Sequence, residues 1–320
     1  MSLSTSDQPL AIGIDFGGTT VKVAAIRGSE IVTRGNTITT GNYHGPGPLM
    51  DAMAVEVKNL QRLHPEAIGI GVGIPGWVNW KLGVVENLVN VKGWTKVPVS
   101  GELSARTGLT VVAENDATAM AYAEWKLGAA KGYDNSVCLT LGTGVGAGMI
   151  LEGRLHRGAM MCAGEIGMMS VDMYGTKGPF GNDGFIEGYV GLSYLARRAQ
   201  VLYAEAGQEK TLEDCDPRLL AVAAENGNEI AKRVWDEAGD RLGAMLADLN
   251  WALSLDCIVI GGGVAKAGDL IFGPTRKSID GRCHPFITQN LKLVPAHFSN
   301  DAGMIGAALL AVHHAQGQPI

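Results

Sequence analysis

Residues 11–23, AIGIDFGGTTVKV, decide how this chain is read. An apolar strand ends in Asp15, the chain turns through Gly17, Gly18, Thr19 and Thr20, and an alternating strand resumes at Val21 with Lys22 on it. That order has the shape of a phosphate and metal site. Glycines at 17 and 18 can take backbone angles closed to other residues, and the threonine hydroxyls and nearby amides can donate to phosphate oxygens. Asp15 stands where a carboxylate can hold Mg2+, directly or through water, because a hard cation prefers oxygen ligands. Gly-Gly-Thr-Thr also fits an ordinary hairpin turn, so support has to come from elsewhere in the chain.

A second glycine run supplies it. The apolar strand 135–141 leads into Gly142-Thr143-Gly144, and another strand follows over 145–151. A third run, Gly261-Gly262-Gly263, follows an apolar strand near 256–260 and precedes a helix. Neither later run is a GxGxxG opening a helix with an acid about 20 residues on, and no GxxxxGK[ST] occurs, which disfavours dinucleotide and Walker chemistry. Mononucleotide phosphates held by two glycine turns are what is left.

The chain has 320 residues, 46% hydrophobic and 18% charged, enough for a large core and two domains. Its 45 glycines are about twice the usual share and show no three-residue period, as expected of an α/β protein with many tight turns. A formal charge of -6 and the lack of any long basic run argue against a nucleic-acid surface. No apolar stretch approaches the roughly 20 residues of a membrane span, and the first nine residues lack a signal peptide's apolar core. A cytoplasmic protein is expected, and membrane partners are not. The five cysteines, Cys138, Cys162, Cys215, Cys257 and Cys283, are scattered without a CxxC pair, which favours reduced, mostly buried thiols over disulfides or a metal cluster.

Strands are predicted at 11–15, 21–27, 31–38, 67–73 and 109–113, and a helix over 49–63 where Leu49, Met53, Val57 and Leu60 recur at helical spacing. The strands 67–73 and 109–113 lead into Ile74-Pro75-Gly76 and Glu114-Asn115-Asp116, so both loops lie at carboxyl ends of strands, where open α/β sheets place ligands. Helices are predicted at 117–128, 186–206, 217–226, 228–252 and 303–315.

Asn115-Asp116 is the pair expected to carry chemistry. A helix starting just after it holds the Asp116 charge near a helix N-terminus; phosphoryl transfer asks for an Asp that receives the attacking hydroxyl's proton. The bland alternative is that Asp116 only caps the helix. Glu165 and Glu187 are two further acids in glycine-rich segments, and a carboxylate can accept two sugar hydroxyls. Trp77, Trp80 and Trp94 lie between the two N-terminal strand-end loops, where core packing or a wall for a sugar would both use them.

These ordered motifs resemble the ROK family, the repressor, open reading frame and kinase group of bacterial sugar kinases, over nearly the whole chain. DFGGTTVK at 15–22 and LGTGVGAG at 141–148 resemble its two phosphate motifs. GVGIPGWV at 71–78, with ENL at 86–88 and GW at 93–94, resembles its sugar-side segment, and AENDATAMA at 113–121 the segment of its catalytic base. GEIG at 164–167 and GFIEGY at 184–189 match its sugar glutamates, and IGGGV at 260–264 its adenosine-side motif. The resemblance implies an α/β actin-like ATPase fold, ribonuclease H-like, with two domains around a central cleft: 1–117 with about 301–320 as the small domain, and 118–300 as the larger. It implies ATP and Mg2+, the nucleotide phosphates held by Asp15, Gly17, Gly18, Thr19, Thr20, Lys22, Gly142, Thr143 and Gly144, with Gly261, Gly262 and Gly263 on the adenosine side. Asp116 becomes the general base; Asn115, Asp116, Glu165, Glu187, Gly76 and Asn87 become sugar contacts. A homodimer is implied as well.

One part departs from the pattern. Where the family has a zinc-binding histidine and three cysteines, this chain has Met168, Gly178, Phe180 and Phe185. No nitrogen or thiolate donor is left for a tetrahedral zinc, so no structural zinc is expected, and packing of Phe180, Phe185 and Met168 is expected to hold the loop instead. Met168 also cannot repeat the histidine's polar contact to the sugar. Glucose, phosphorylated at its 6-hydroxyl, leads the substrate list, with fructose, mannose, allose and N-acylhexosamines as alternatives. A non-catalytic sugar sensor and an actin-like filament protein are rival classes. A repressor is disfavoured, since only nine residues precede Leu10.

Overall fold

The computed structural model describes residues 8–88, 91 and 93–320. Most of the leader segment on which the signal-peptide expectation rests lies outside the described residues. The chain packs as two compact units. The first takes the chain as far as Gly132, then Gly148–Gly164 and His297–Ile320; the second takes Tyr133–Ala147 and Glu165–Ala296. Compaction thus carries the first unit past the expected break at 117, through the helix that follows Asn115.

In the first unit, β1 (Leu10–Phe16), β2 (Thr20–Arg27), β3 (Glu30–Arg34) and β4 (Ile38–Thr39) precede helix α1 (Pro46–Leu63). Then come β5 (Ile70–Ile74), β6 (Trp77–Asn79), β7 (Val84–Asn87), β8 (Thr95–Val97), α2 (Val99–Thr107), β9 (Val111–Asn115) and α3 (Asp116–Leu127). The main sheet runs β3-β2-β1-β5-β9 with β4 beside β2; β6, β7 and β8 form a separate antiparallel sheet. Strands β1, β5 and β9 are parallel, whereas β1, β2 and β3 are antiparallel neighbours. The strand expected over 31–38 is two strands, because Asn36 leaves the ladder and gives its N–H to the Glu56 carboxylate at 3.1 Å.

The next strands are β10 (Ser136–Leu141) in the second unit, β11 (Val145–Leu151), which starts there and continues into the first, and β12 (Arg154–His156), antiparallel to β11. The second unit goes on with α4 (Glu187–Val190), α5 (Leu192–Glu205), α6 (Pro217–Glu225), α7 (Glu229–Leu253), β13 (Cys257–Gly261), α8 (Asp269–Arg282), α9 (Pro285–Thr288) and β14 (Lys292–Pro295). Strands β10, β13 and β14 are parallel neighbours. The helix expected over 186–206 is interrupted at Gly191, because the Leu192 N–H donates to the Gly142 carbonyl at 2.9 Å instead of staying within one helix.

Helix α10 (Ala302–Ala315) returns to the first unit, and ten of its residues are buried. It is apolar around most of its circumference, as a helix covered on all sides must be, because it lies between the sheet and α3. The approach is close enough that a Cβ on Gly71 would fall 1.7 Å from the Ala307 carbonyl, so any side chain there would push the helix off the sheet. Glu124, fully buried, accepts the backbone N–H groups of Ala129, His297 and Phe298 at 2.8, 3.0 and 2.9 Å, which anchors the returning segment. No disulfide joins the described residues. Among them, no helix is long and apolar enough to cross a membrane.

Candidate active site

In the first unit, register places the chemistry. Asp15 lies beside Gly73 on β5, and Ile74 beside Asn115 on β9, so parallel pairing brings Asp15, the loop through Gly76 and Asn115-Asp116 to one edge of the sheet. Asn115 caps α3: its Oδ1 accepts the Thr118 N–H at 3.0 Å, while its Nδ2 donates to the Gly76 carbonyl at 3.0 Å. The capping role open to Asp116 in the sequence therefore belongs to Asn115. Asp116 is the first helical residue, and its Oδ1 accepts the Ala117 N–H at 2.8 Å. Its charge sits on the helix's positive end, where a carboxylate is stabilised. Gly76 has φ +117°, and a Cβ there would lie 2.5 Å from the Asn87 carbonyl, so only glycine lets the two candidate sugar contacts sit this close. Trp94 is core, edge-on to Phe16 at 4.8 Å; Trp77 is exposed, and Trp80 lies under the Arg157 guanidinium at 4.3 Å.

The first glycine turn joins β1 to β2. The Gly17 N–H closes it on the Thr20 carbonyl at 2.8 Å, and neither Gly17 nor Gly18 takes the left-handed angles expected of them. What Gly17 supplies instead is room, since a Cβ there would come within 3.1 Å of the Thr20 carbonyl. Thr40 holds the turn from outside, its hydroxyl on the Gly18 carbonyl at 2.8 Å and its N–H on the Thr19 carbonyl at 3.0 Å. With those carbonyls engaged, the exposed Gly18 and Thr19 present amide N–H groups that no described residue accepts, which suits an anion. Lys22 faces Asp15 at 3.4 Å. Burial pushes the Asp15 carboxyl up, Lys22 pulls it back, and Asp301 adds to the rise.

In the second unit, Thr140 on β10 pairs with Gly261 on β13, so the second and third glycine runs leave adjacent parallel strands side by side. The turn Gly142-Thr143-Gly144 closes through the Gly142 N–H on the Gly144 carbonyl at 2.9 Å. Glu187, first residue of α4, accepts the Val145 N–H through Oε2 at 2.9 Å and so is built into this turn. Glu165 is exposed and opens a short 3-10 turn, Ile166–Met168.

The segment after that turn is held only in part by the expected packing. Phe185 is 2% exposed and packs edge-on to Tyr194 at 5.9 Å, yet Phe180 is 72% exposed and packs nothing down. Polar bonds close the loop. Asn182 Nδ2 donates to the Met168 carbonyl at 2.8 Å, Ser170 to the Asp183 carbonyl at 2.7 Å, and Lys177 pairs with Asp183. Ser170 and Phe185 form an isolated antiparallel bridge, and the Ile186 N–H reaches the Met169 carbonyl at 2.9 Å. Among the described residues, no group of three or more His, Cys, Asp or Glu side chains is placed to hold a metal ion.

Residues missed in the sequence include Thr40, Asn182 and the buried pair Glu114–Arg157, 2.7 Å apart. Burial pushes the Glu114 carboxyl up, opposed by Arg157 and the Asn115 N–H. A charged residue at the end of the apolar run VVAEN was the available signal for Glu114; nothing local marks Arg157.

Residues 11–314 match the model of the ROK family. The chain is 34% identical to a glucokinase of Streptomyces coelicolor, over 94% of this chain and 97% of that one. It is 27% identical to an N-acetylmannosamine kinase of Salmonella arizonae, over 94% and 97%. Among solved structures, a ROK family glucokinase of Streptomyces griseus in complex with glucose and AMPPNP superposes with a TM-score of 0.77 at 29% identity, covering 94% of this chain and 99% of that one. Together with an α/β fold of mixed sheets flanked by helices, these likenesses place the chain in the ROK family.

Proposed function

We propose that this protein is an ATP-dependent hexose kinase acting on D-glucose at the 6-hydroxyl. The observation that carries this reading is the convergence of Asp15, Gly76 and Asn115-Asp116 on one strand-end edge, with Asp116 held by the N-terminus of α3. In the reaction the sugar oxygen attacks the γ-phosphorus, the bond to the bridging oxygen breaks, ADP leaves, and Asp116 takes the hydroxyl proton. Phosphoryl transfer relies on positioning and charge stabilisation, which fits a site of fixed backbone donors and carboxylates. Asn115 orients the sugar, with Gly76 and Asn87 beside it. In the second unit Glu165 and Glu187 accept sugar hydroxyls. The N–H groups of the turns at Gly17–Thr20 and Gly142–Gly144 take the phosphates, with Lys22 adding positive charge, and Gly261–Gly263 line the adenosine.

Asp15 fits Mg2+, which binds through one or two carboxylates plus substrate phosphates and keeps several waters. The ion, when bound with ATP, neutralises charge developing on the phosphates. The actin-like, ribonuclease H-like class is proposed for each unit on the strand order and the family, and a homodimer and a cytoplasmic location on the family alone. An N-acylhexosamine is the second reading for substrate, because Met168 puts a thioether where the family has a polar side chain.

The test is ATP consumption with Mg2+ across a hexose and N-acetylhexosamine panel, with the phosphorylated product confirmed by mass. Turnover on glucose with a 6-phosphate product is expected. Sugar binding without turnover on any member would overturn the kinase reading in favour of a sensor, and phosphate release without sugar would favour a filament ATPase.

A further inference from the structure

Behind Asn115-Asp116 lies a charged cluster for which the reaction as described has no use. Strand β9 is the outer strand of its sheet. The N–H of Asn115 goes to Oε1 of its own neighbour Glu114 at 3.0 Å, and the other oxygen of that carboxylate accepts Arg157 Nε at 2.7 Å. The two side chains are 3% and 8% exposed. Arg157 stands immediately after β12, lies over Trp80, and donates through Nη1 to the Ile320 carbonyl at 3.0 Å. Its buried Nη2 has no hydrogen-bond partner among the described residues.

This is an expensive arrangement. A buried ion pair adds little stability over a well-packed apolar replacement, and an unpartnered buried N–H costs more still. Its geometry does secure one thing. Asn115 is fixed on its side-chain face by Thr118 and Gly76 and on its backbone face by Glu114, so the step from strand to helix that sets the direction of Asp116 has no loose side.

We propose that Arg157 is a positioning residue that acts through Glu114 to fix the backbone beneath Asn115 and Asp116 for phosphoryl transfer. The proposal rests on the assignment of Asp116 as base. A displaced base of this kind lowers turnover more than binding, and a displacement of about 1 Å can cost about a hundredfold in rate.

The experiment compares Arg157→Met, Arg157→Lys, Glu114→Gln and Asp116→Asn by steady-state phosphorylation of the best sugar and by thermal melting. Arg157→Met should lower kcat about 30- to 100-fold while the KM values for sugar and ATP stay within about threefold. Arg157→Lys, which keeps a donor and the charge, should recover at least part of that loss. Glu114→Gln, which turns an acceptor into a donor facing Arg157 or the Asn115 N–H, should lower kcat about tenfold, and adding it to Arg157→Met should cost little more.

Near-native kcat in a folded Arg157→Met protein, with Asp116→Asn inactive, overturns the proposal. So does a parallel loss in kcat and both KM values that tracks melting, which marks a structural ion pair only. Should Arg157→Met fail to fold, Arg157→Lys and Glu114→Gln decide by the same criterion. An active Asp116→Asn protein would instead remove the base assignment and leave the geometry of Arg157 without this role.

Discussion

The acids of the first unit and those of the second are held by different means. Asp15 and Asp116 sit at the ends of parallel strands, where ladder register and a helix N-terminus determine their place. Glu187 accepts the Val145 N–H of a turn, and Glu165 opens a loop closed by bonds of the Asn182, Lys177 and Ser170 side chains. Strand-end acids inherit the rigidity of the sheet. Glu187, at the head of the four-residue α4, and Glu165, at the start of a 3-10 turn, have no strand ladder beneath them. On the proposed roles, the proton acceptor Asp116 stands at the sheet edge, and two of the sugar contacts, Glu165 and Glu187, stand off it.

The sharpest way to break this contrast is Asp116→Asn. Loss of a general base should lower phosphorylation by about 10^2- to 10^4-fold, while nucleotide titration shows affinity changed less than about threefold. If turnover survives, the strand-end acid is not the chemical one. Next in size, Phe185→Ala should cost about 3–5 kcal/mol in denaturant unfolding, because it empties a well-buried aromatic site in the segment after the Ile166–Met168 turn. Asn182→Ala loses its bond to the Met168 carbonyl and should raise sugar KM about three- to tenfold with ATP KM unchanged; equal changes in both would separate Asn182 from sugar recognition.

Asp15 sharpens the comparison through pH. Burial raises its pKa, so the folded protein binds that proton more tightly than the unfolded chain does. Ionisation therefore costs stability as pH climbs from the ordinary carboxylate range through the raised value, and below that range the cost is absent. Asp15→Asn should melt higher than the native protein near neutral pH, converge with it on acidification, and still lose activity. Phe180→Ala should do least, within about 0.5 kcal/mol, because the ring is in solvent.

The glycine turns, Asn115-Asp116 and most strands and helices could be read from the chain, because each is signalled locally by an apolar period and a turn residue at its end. The same local reading failed at 31–38 and 186–206, where Asn36 and Leu192 leave their elements for partners distant in sequence. It also assigned Phe180 to packing, since hydrophobicity alone does not say which of two nearby phenylalanines faces inward.

What the sequence by itself determined is the family, the α/β class and the residue types at the site, since motif spacing and apolar periodicity are short-range properties of the chain. Only the tertiary structure decided that Asn115 rather than Asp116 caps the helix, that Glu187 accepts the Val145 N–H beside the second glycine turn, that Asn182 ties its loop to the Met168 carbonyl, and that Arg157 stands behind Asn115 through Glu114. Each of those is a hydrogen bond whose partner is chosen by packing, and a donor carries no local mark of the acceptor that the fold will bring to it.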